Sequence, residues 1–247
     1  VPPVIGLLGL TNFPYFVAMH AVSRLGYTVF LLSPRLSVDA YCSLLEETSS
    51  RTLVYSPAQE LVASTLLSMT KISTIEMPSV QQMDSSAALS QPLPRFKLNV
   101  ESAGIRIAFI LHSSGSTGLP KPIFHTHSAI ISGMGVGYGG RVLNTCPLFH
   151  FHGLGMMHRT MFKSGTTFYP DFTTPLTSLS LLSLLEKVGP SAVFAVPYTL
   201  KLAAEVDRSM EILSKCEVVT FSGSACSDEL GNLLTEKGIH LVSICGT

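Results

Sequence analysis

The sequence predicts an α/β fold, two packed α/β halves built on mainly parallel sheets. Three observations predict it. Strand-like and helix-like segments alternate from the first residue, the rhythm of parallel strands joined by crossover helices. The strand candidates are continuous apolar runs such as Val4–Leu10, as expected of strands buried on both faces. Finally, Leu25-Gly-Tyr-Thr-Val-Phe and Ser164-Gly-Thr-Thr-Phe-Tyr share one pattern of helix end, glycine and strand, which points to two related halves.

The elements follow in order. Val4–Gly9 reads as a buried strand. Asn12 is the N-cap of a helix with Pro14 in its first turn, where a missing N–H is harmless. Phe13, Phe16, Val17 and Ala21 recur at helical spacing, and Gly26 ends the helix. Tyr27–Leu32 is the next strand, Ser37 caps a helix carrying Val38, Tyr41 and Leu45, and Thr52–Tyr55 is strand again. From Glu76 to Gly104 the pattern lapses into Pro, Ser and Gln, a surface connection. The predicted parts are therefore 1–75, a connection at 76–104, and a second α/β part at 105–247. That second part opens with strand Ile105–Leu111, a Gly/Ser/Thr-rich loop, and strand Ile123–His125. Val142–Cys146, a helix after His152, Thr166–Tyr169, a helix at Leu179–Lys187, and strands near Ala192–Ala195, Val218–Phe221 and His240–Ile244 complete it.

Composition excludes several classes. With 247 residues, zero formal net charge and 13% charged residues, the chain carries no basic field for nucleic acid or an anionic membrane. Apolar content is high, at 46% with mean hydropathy +0.40, yet no apolar run approaches the roughly 18–20 residues of a membrane span. Cys42, Cys146, Cys216, Cys226 and Cys245 are scattered and include no C-x-x-C pair. This fits neither a disulfide framework nor a thiolate zinc site and suits a reducing, cytoplasmic setting. The chain opens on a strand-like run without an initiator Met or a signal peptide, so the expectation is a piece excised from something longer.

The most informative stretch is His112-Ser-Ser-Gly-Ser-Thr-Gly-Leu-Pro-Lys121. Gly115 and Gly118 let the backbone turn tightly and point its N–H groups inward. Ser113, Ser114, Ser116 and Thr117 add hydroxyl donors, and Lys121 adds a positive charge. Together they suit a polyphosphate. The spacing is not that of a Walker A loop, because Leu119-Pro120 separates Gly118 from the lysine.

This loop resembles the phosphate-binding signature of the adenylate-forming superfamily, which includes acyl-CoA synthetases and the adenylation domains of peptide synthetases and carboxylic acid reductases. His112 stands where the family has an aromatic residue, and Pro122 where it has glycine. Three further segments match in order. Pro147-Leu-Phe-His-Phe-His-Gly153 resembles the acyl-pocket motif, with His150 at its reaction-centre position. Phe221-Ser-Gly-Ser-Ala-Cys-Ser227 resembles the turn that lies along the adenine. Cys245-Gly-Thr247 resembles the opening of a Tyr-Gly-x-Thr-Glu motif. The early Leu25–Arg35 segment also fits, and the subgroup most resembled is the fungal synthetase-like carboxylic acid reductases.

The resemblance implies ATP-dependent activation of an organic carboxylic acid, aryl acids included, to an acyl-AMP with release of pyrophosphate. ATP with Mg²⁺ would be held by Ser113, Ser114, Gly115, Ser116, Thr117, Gly118 and Lys121, by Gly223, Ser224 and Ala225, and by Cys245, Gly246 and Thr247. The carboxylate would meet His150, Phe151 and Gly223, with His150 in the catalytic position. The family's Glu ligand for Mg²⁺, its ribose-binding Asp and its catalytic lysine on a small mobile C-terminal domain fall beyond Thr247. The expectation is an incomplete N-terminal core, inactive alone, partnered by that domain and by a carrier domain with a reductase or thioesterase. An acyl-CoA ligase, a non-catalytic binding module and an unrelated α/β hydrolase or NTPase remain open alternatives.

Other residues read as structural. The pairs His125/His127 and His150/His152 could hold a metal if each lay on one face of a strand, but no carboxylate or thiolate stands beside them, and no metal is expected on these histidines. Ser222-Gly-Ser-Ala-Cys lacks the second glycine of a nucleophile elbow. Cys226 and Cys245 read as buried small residues, and Ser227-Asp-Glu as a helix start favoured by the macrodipole.

Overall fold

The computed structural model describes residues 3–84, 100–114 and 118–244. The chain divides into two compact units, Val1–Ser132 and Gly133–Thr247, each with its own sheet.

The first unit contains strands β1 (Val4–Leu8), β2 (Thr28–Leu32), β3 (Thr52–Tyr55), β4 (Ser73–Glu76), β5 (Ile107–His112) and β6 (Pro122–Thr126). Their order is β4-β3-β1-β2-β5-β6. The first five are parallel, and β6 runs antiparallel to β5 at the edge. Helices α1 (Phe13–Arg24), α2 (Val38–Glu47) and α3 (Glu60–Met69) cover the sheet, with short α4 (Val80–Met83), α5 (Val100–Ala103) and α6 (His127–Ser132). Alternation along the strands sends Leu8, Phe30, Leu32, Leu53 and Ile110 to one face. There they pack with Tyr41, Leu44 and Leu45 of α2 and Ala63 and Leu66 of α3. The intervening Leu7, Val29 and Leu31 are equally buried, and α1 packs on β1 and β2 with Tyr15, Ala18 and Met19 inward. The starts of α1 and α2 are those the sequence predicts. Tyr15 N–H donates to the Asn12 side chain at 3.0 Å, and Ala40 N–H to Ser37 Oγ at 3.3 Å.

The second unit is a parallel sheet of β7 (Arg141–Asn144), β8 (Thr166–Phe168), β9 (Ala192–Ala195), β10 (Val218–Phe221) and β11 (Leu241–Ser243), ordered β11-β10-β9-β7-β8. Its helices are α7 (Phe151–Phe162), α8 (Ser178–Val188), α9 (Pro197–Ala204), α10 (Asp207–Leu213) and α11 (Asp228–Glu236). Leu143, Val193, Ala195, Val219 and Phe221 face α8 to α11, while Val142, Ala192, Phe194 and Val218 face the side holding Met156 of α7. Both faces of β9 and β10 are covered, which is why these two strands read as largely apolar runs.

Three expectations need correction. The sequence assigns 105–247 to a second part, but β5 pairs with β2 and the division falls after Ser132. Of the predicted connection at 76–104, residues 85–99 lie outside the described residues, and the segment after it belongs to the first sheet. Arg106, 80 residues away in sequence, donates to the Gly26 carbonyl at 2.9 Å, and Thr28 Oγ1 to the Ile107 carbonyl at 2.9 Å. Second, α3 with β4, and α9 with α10, are additional to the predicted elements. Third, the two segments that echo each other are not equivalent residue for residue. The left-handed position after α1 is Gly26 (φ 86°), but after α7 it is Ser164 (φ 57°), with Gly165 one place later.

Candidate functional site

The hydroxyl-rich loop joins β5 to β6. The nine residues between the strands are too few for a parallel crossover, which needs about a dozen, so β6 turns back along β5. Ser113 closes the base of the loop twice: its N–H donates to the Lys121 carbonyl at 2.9 Å, and its Oγ accepts from Lys121 N–H at 2.9 Å. The Ser113 hydroxyl proton is still available to donate. Ser114, Gly118 and Lys121 are exposed, and Gly118 has a positive φ of 154° with open space around its α-carbon. Gly115, Ser116 and Thr117 lie outside the described residues.

His112, the last residue of β5, anchors the same loop. Ser33 N–H donates to His112 Nε2 at 3.1 Å, so Nδ1 carries the proton and donates to the Ser113 carbonyl at 3.0 Å. Burial holds its pKa below the usual histidine value, and the Ser113 carbonyl opposes that shift more weakly.

In the second unit the other candidates gather at the carboxyl ends of parallel strands, where open α/β sheets bind ligands. His150 and Phe151 follow β7, and Gly223, Ser224 and Ala225 follow β10, with β9 between those two strands. All five are exposed. His150 occupies the N-cap of α7, its ring 4.8 Å from that of Phe149. Gly223 has a φ of 94°, and a Cβ there would meet Val196 at an ordinary 3.7 Å. Its backbone edge is therefore presented outward by conformation, not by crowding. Cys245, Gly246 and Thr247 lie outside the described residues.

The residue that shapes the His150 loop is Asn144, which sequence reading passes over. Fully buried, it accepts from Cys146 N–H at 3.0 Å and donates to the Gly153 carbonyl at 3.0 Å, fastening the loop to the first turn of α7. Thr145 adds a bond from its Oγ1 to the Phe194 carbonyl at 3.0 Å. The available signal was a polar pair closing an apolar strand, which has no reason to be buried unless it holds backbone.

The histidine pairs do not form strand faces. His125 lies in β6 and His127 opens α6, while His150 caps α7 and His152 lies within it. Among the described residues no three His, Cys, Asp or Glu side chains gather where they could hold a metal. His152 rests against Phe194 and Thr220, its Nε2 3.4 Å from Thr220 Oγ1. Burial, and secondarily the charge of Arg159, push its pKa down to about 4. Burial pushes the Cys146 thiol up to about 12, which leaves it un-ionised and inert. Cys226 is half-buried, not fully buried. Among the described residues no helix is long and apolar enough to cross a membrane.

The profile of the AMP-binding enzyme family matches residues 2–246. This chain belongs to the AMP-binding enzyme family. An adenylate-forming reductase of Aspergillus terreus is 27% identical over 254 residues, covering 96% of this chain and 24% of that protein. A carboxylic acid reductase of Neurospora crassa is 23% identical over 265 residues, covering 98% and 24%. The chain thus spans about a quarter of the length of these relatives. Among solved structures, the N-terminal domain of FACL13 from Mycobacterium tuberculosis superposes with a TM-score of 0.83 at 18% identity, covering 100% of this chain and 63% of that one. That likeness is one of fold.

Proposed function

We propose that this chain is the N-terminal core of an adenylation domain that converts an organic carboxylic acid, aryl acids included, and ATP into an acyl-AMP and pyrophosphate. The observation that carries the reading is the family match over residues 2–246, supported by the relatives' names, adenylate-forming reductase and carboxylic acid reductase. In this reading the core works in a cytoplasmic multidomain synthetase or reductase, with a mobile C-terminal subdomain and a carrier domain that accepts the acyl group.

The described residues fit an anionic nucleotide. Ser114 and Lys121 are exposed on a loop whose base is tied shut, a setting that would preorganise donors and charge for phosphate. Gly115, Ser116 and Thr117 would complete the cradle. Gly223, Ser224 and Ala225 would lie along the adenine, and Cys245, Gly246 and Thr247 near the α-phosphate. His150 and Phe151 would border the carboxylate. Bound with ATP, Mg²⁺ would neutralise phosphate charge. Because such ions are held largely by phosphate oxygens, water and one or two carboxylates, the lack of a three-ligand cluster among the described residues does not argue against it.

The test is acid-dependent pyrophosphate exchange by the natural protein carrying this sequence, with residues 1–247 alone expected to be inactive. Lys121→Ala is expected to slow exchange. A charge pair at about 4 Å and an effective dielectric near 20 is worth on the order of 4 kcal/mol before desolvation. After desolvation and ordering costs, a loss of about tenfold to a few hundredfold remains, about 1.4–3.5 kcal/mol. His150→Ala is expected to alter acid preference more than ATP dependence. Phosphate release without an acid, or wild-type exchange by Lys121→Ala, would overturn the reading.

A further inference from the structure

We propose that His112 is a positioning residue for the phosphate loop, a latch that accepts from Ser33 at the end of β2 and donates to Ser113 at the base of the loop. What the loop holds rests on the adenylation reading; the latch itself rests on geometry. The bonds form one continuous path. Ser33 N–H reaches Nε2 at 3.1 Å, Nδ1–H reaches the Ser113 carbonyl at 3.0 Å, and Ser113 joins Lys121 through both backbone and hydroxyl at 2.9 Å. Ser33 is itself fixed, because its carbonyl accepts from the Tyr41 hydroxyl at 2.7 Å and its Oγ from Arg35 N–H at 3.3 Å. Both ends of the latch are out of water, Ser33 at 6% and His112 at 9% exposure.

The chemistry of the ring makes this arrangement conditional. A phenyl or phenol ring here would fill the volume but offer Ser33 N–H no ring-nitrogen acceptor. Neutral imidazole does, in one tautomer. Imidazolium does not, because both ring nitrogens then donate and Nε2–H would face a second donor in a buried place. The ionisable groups on the neighbouring segments are Arg35, Asp39 and Tyr41 on the β2 and α2 side, and Lys121 and His125 on the β6 side. The pKa of His112 is moved by burial and by the Ser113 carbonyl, and by none of these charges. Since burial holds the folded pKa below the unfolded value, the latch is intact above the usual histidine range and is lost as pH falls through the folded pKa.

The experiment uses the natural full-length protein as wild type, His112→Gln and His112→Phe. Gln keeps an acceptor at the reach of Nε2 and does not titrate; Phe keeps the volume and removes the acceptor. Three quantities are read: the His112 tautomer by nitrogen chemical shift, the hydrogen-exchange protection of the Ser33 amide, and the KM for ATP in pyrophosphate exchange across acidic to neutral pH. Expected are an Nδ1–H tautomer and Ser33 protection that fails on acidification. KM is expected to rise by up to about tenfold per pH unit below the transition. His112→Gln should hold a flat KM near the neutral wild-type value, and His112→Phe a raised KM at every pH. An Nε2–H tautomer, full Ser33 protection in His112→Phe, or the same KM slope in wild type and His112→Gln overturns the latch. Absence of acid-dependent exchange in wild type would instead overturn the adenylation reading, and the tautomer and Ser33 protection would still decide the latch.

Discussion

Gly153 sits in the first turn of α7, where alanine would ordinarily be worth up to about 1 kcal/mol more than glycine. Here the sign reverses. A Cβ at this position would fall on the Pro147 carbonyl oxygen and within 2.6 Å of that of Cys146, both backbone atoms that cannot step aside. The Asn144 side chain already ties that strand of backbone to the Gly153 carbonyl, so relief would require breaking a buried polar bridge. Gly153→Ala is therefore expected to cost at least about 3 kcal/mol, read as a fall in the urea midpoint at unchanged slope. A neutral or stabilising result would show that the loop carrying His150 is not held as described. None of this is visible in the motif Pro147–Gly153 as a string, where the glycine reads only as a helix residue of low propensity.

At the scale of elements, four helices end alike. After α1, α2, α7 and α11 the chain closes with paired bonds to the last turn, from Gly26 and Tyr27, Ser49 and Ser50, Ser164 and Gly165, and Gly238 and Ile239. The residue that swings into the left-handed region is glycine in two of them and serine in the other two, Ser49 at φ 52° and Ser164 at φ 57°. An L-residue there costs about 1–2 kcal/mol, of which glycine returns a part as unfolded-state entropy. Ser49→Gly and Ser164→Gly should each raise stability by about 0.5–1 kcal/mol, seen as a higher urea midpoint; a lowered midpoint would contradict the capping geometry. These caps show what was legible. Asn12, Pro14, Gly26 and Ser37 announce helix ends by local chemistry, and β1, β2, β3, β9 and β10 announce themselves as apolar runs. By contrast α3 has apolar residues nearly all round, with Leu61 82% exposed, so its periodicity is blurred. The helices α9 and α10 are eight and seven residues long and too short to establish a period. The pairing of β5 with β2 depends on residues about 80 apart, which no window along the chain contains. The make-up of the loop was legible because it is contiguous; Asn144, Ser33 and the His112 bonds were not, because their partners are distant or backbone.

On the scale of the whole molecule, every strand pairing among the described residues falls inside one of the two units, and each unit has its own buried clusters. Residues 1–132 and 133–247 expressed separately are accordingly each expected to unfold in urea as a cooperative transition with strand and helix signal retained beforehand. A unit that shows no transition would reveal that its sheet depends on the other half of the chain.

The place of β5 in the first sheet also sets an order of events. Strands β1 to β4 are joined by near neighbours in sequence, whereas β5 reaches β2 only by closing a loop of about 80 residues, and long closures are slow. The hairpin of β5 and β6 is then expected to dock last. Because that hairpin carries Ser113 to Lys121, the anion cradle proposed there would form only once the sheet around it is finished, and under that proposal competence for nucleotide would coincide with the end of folding of that unit.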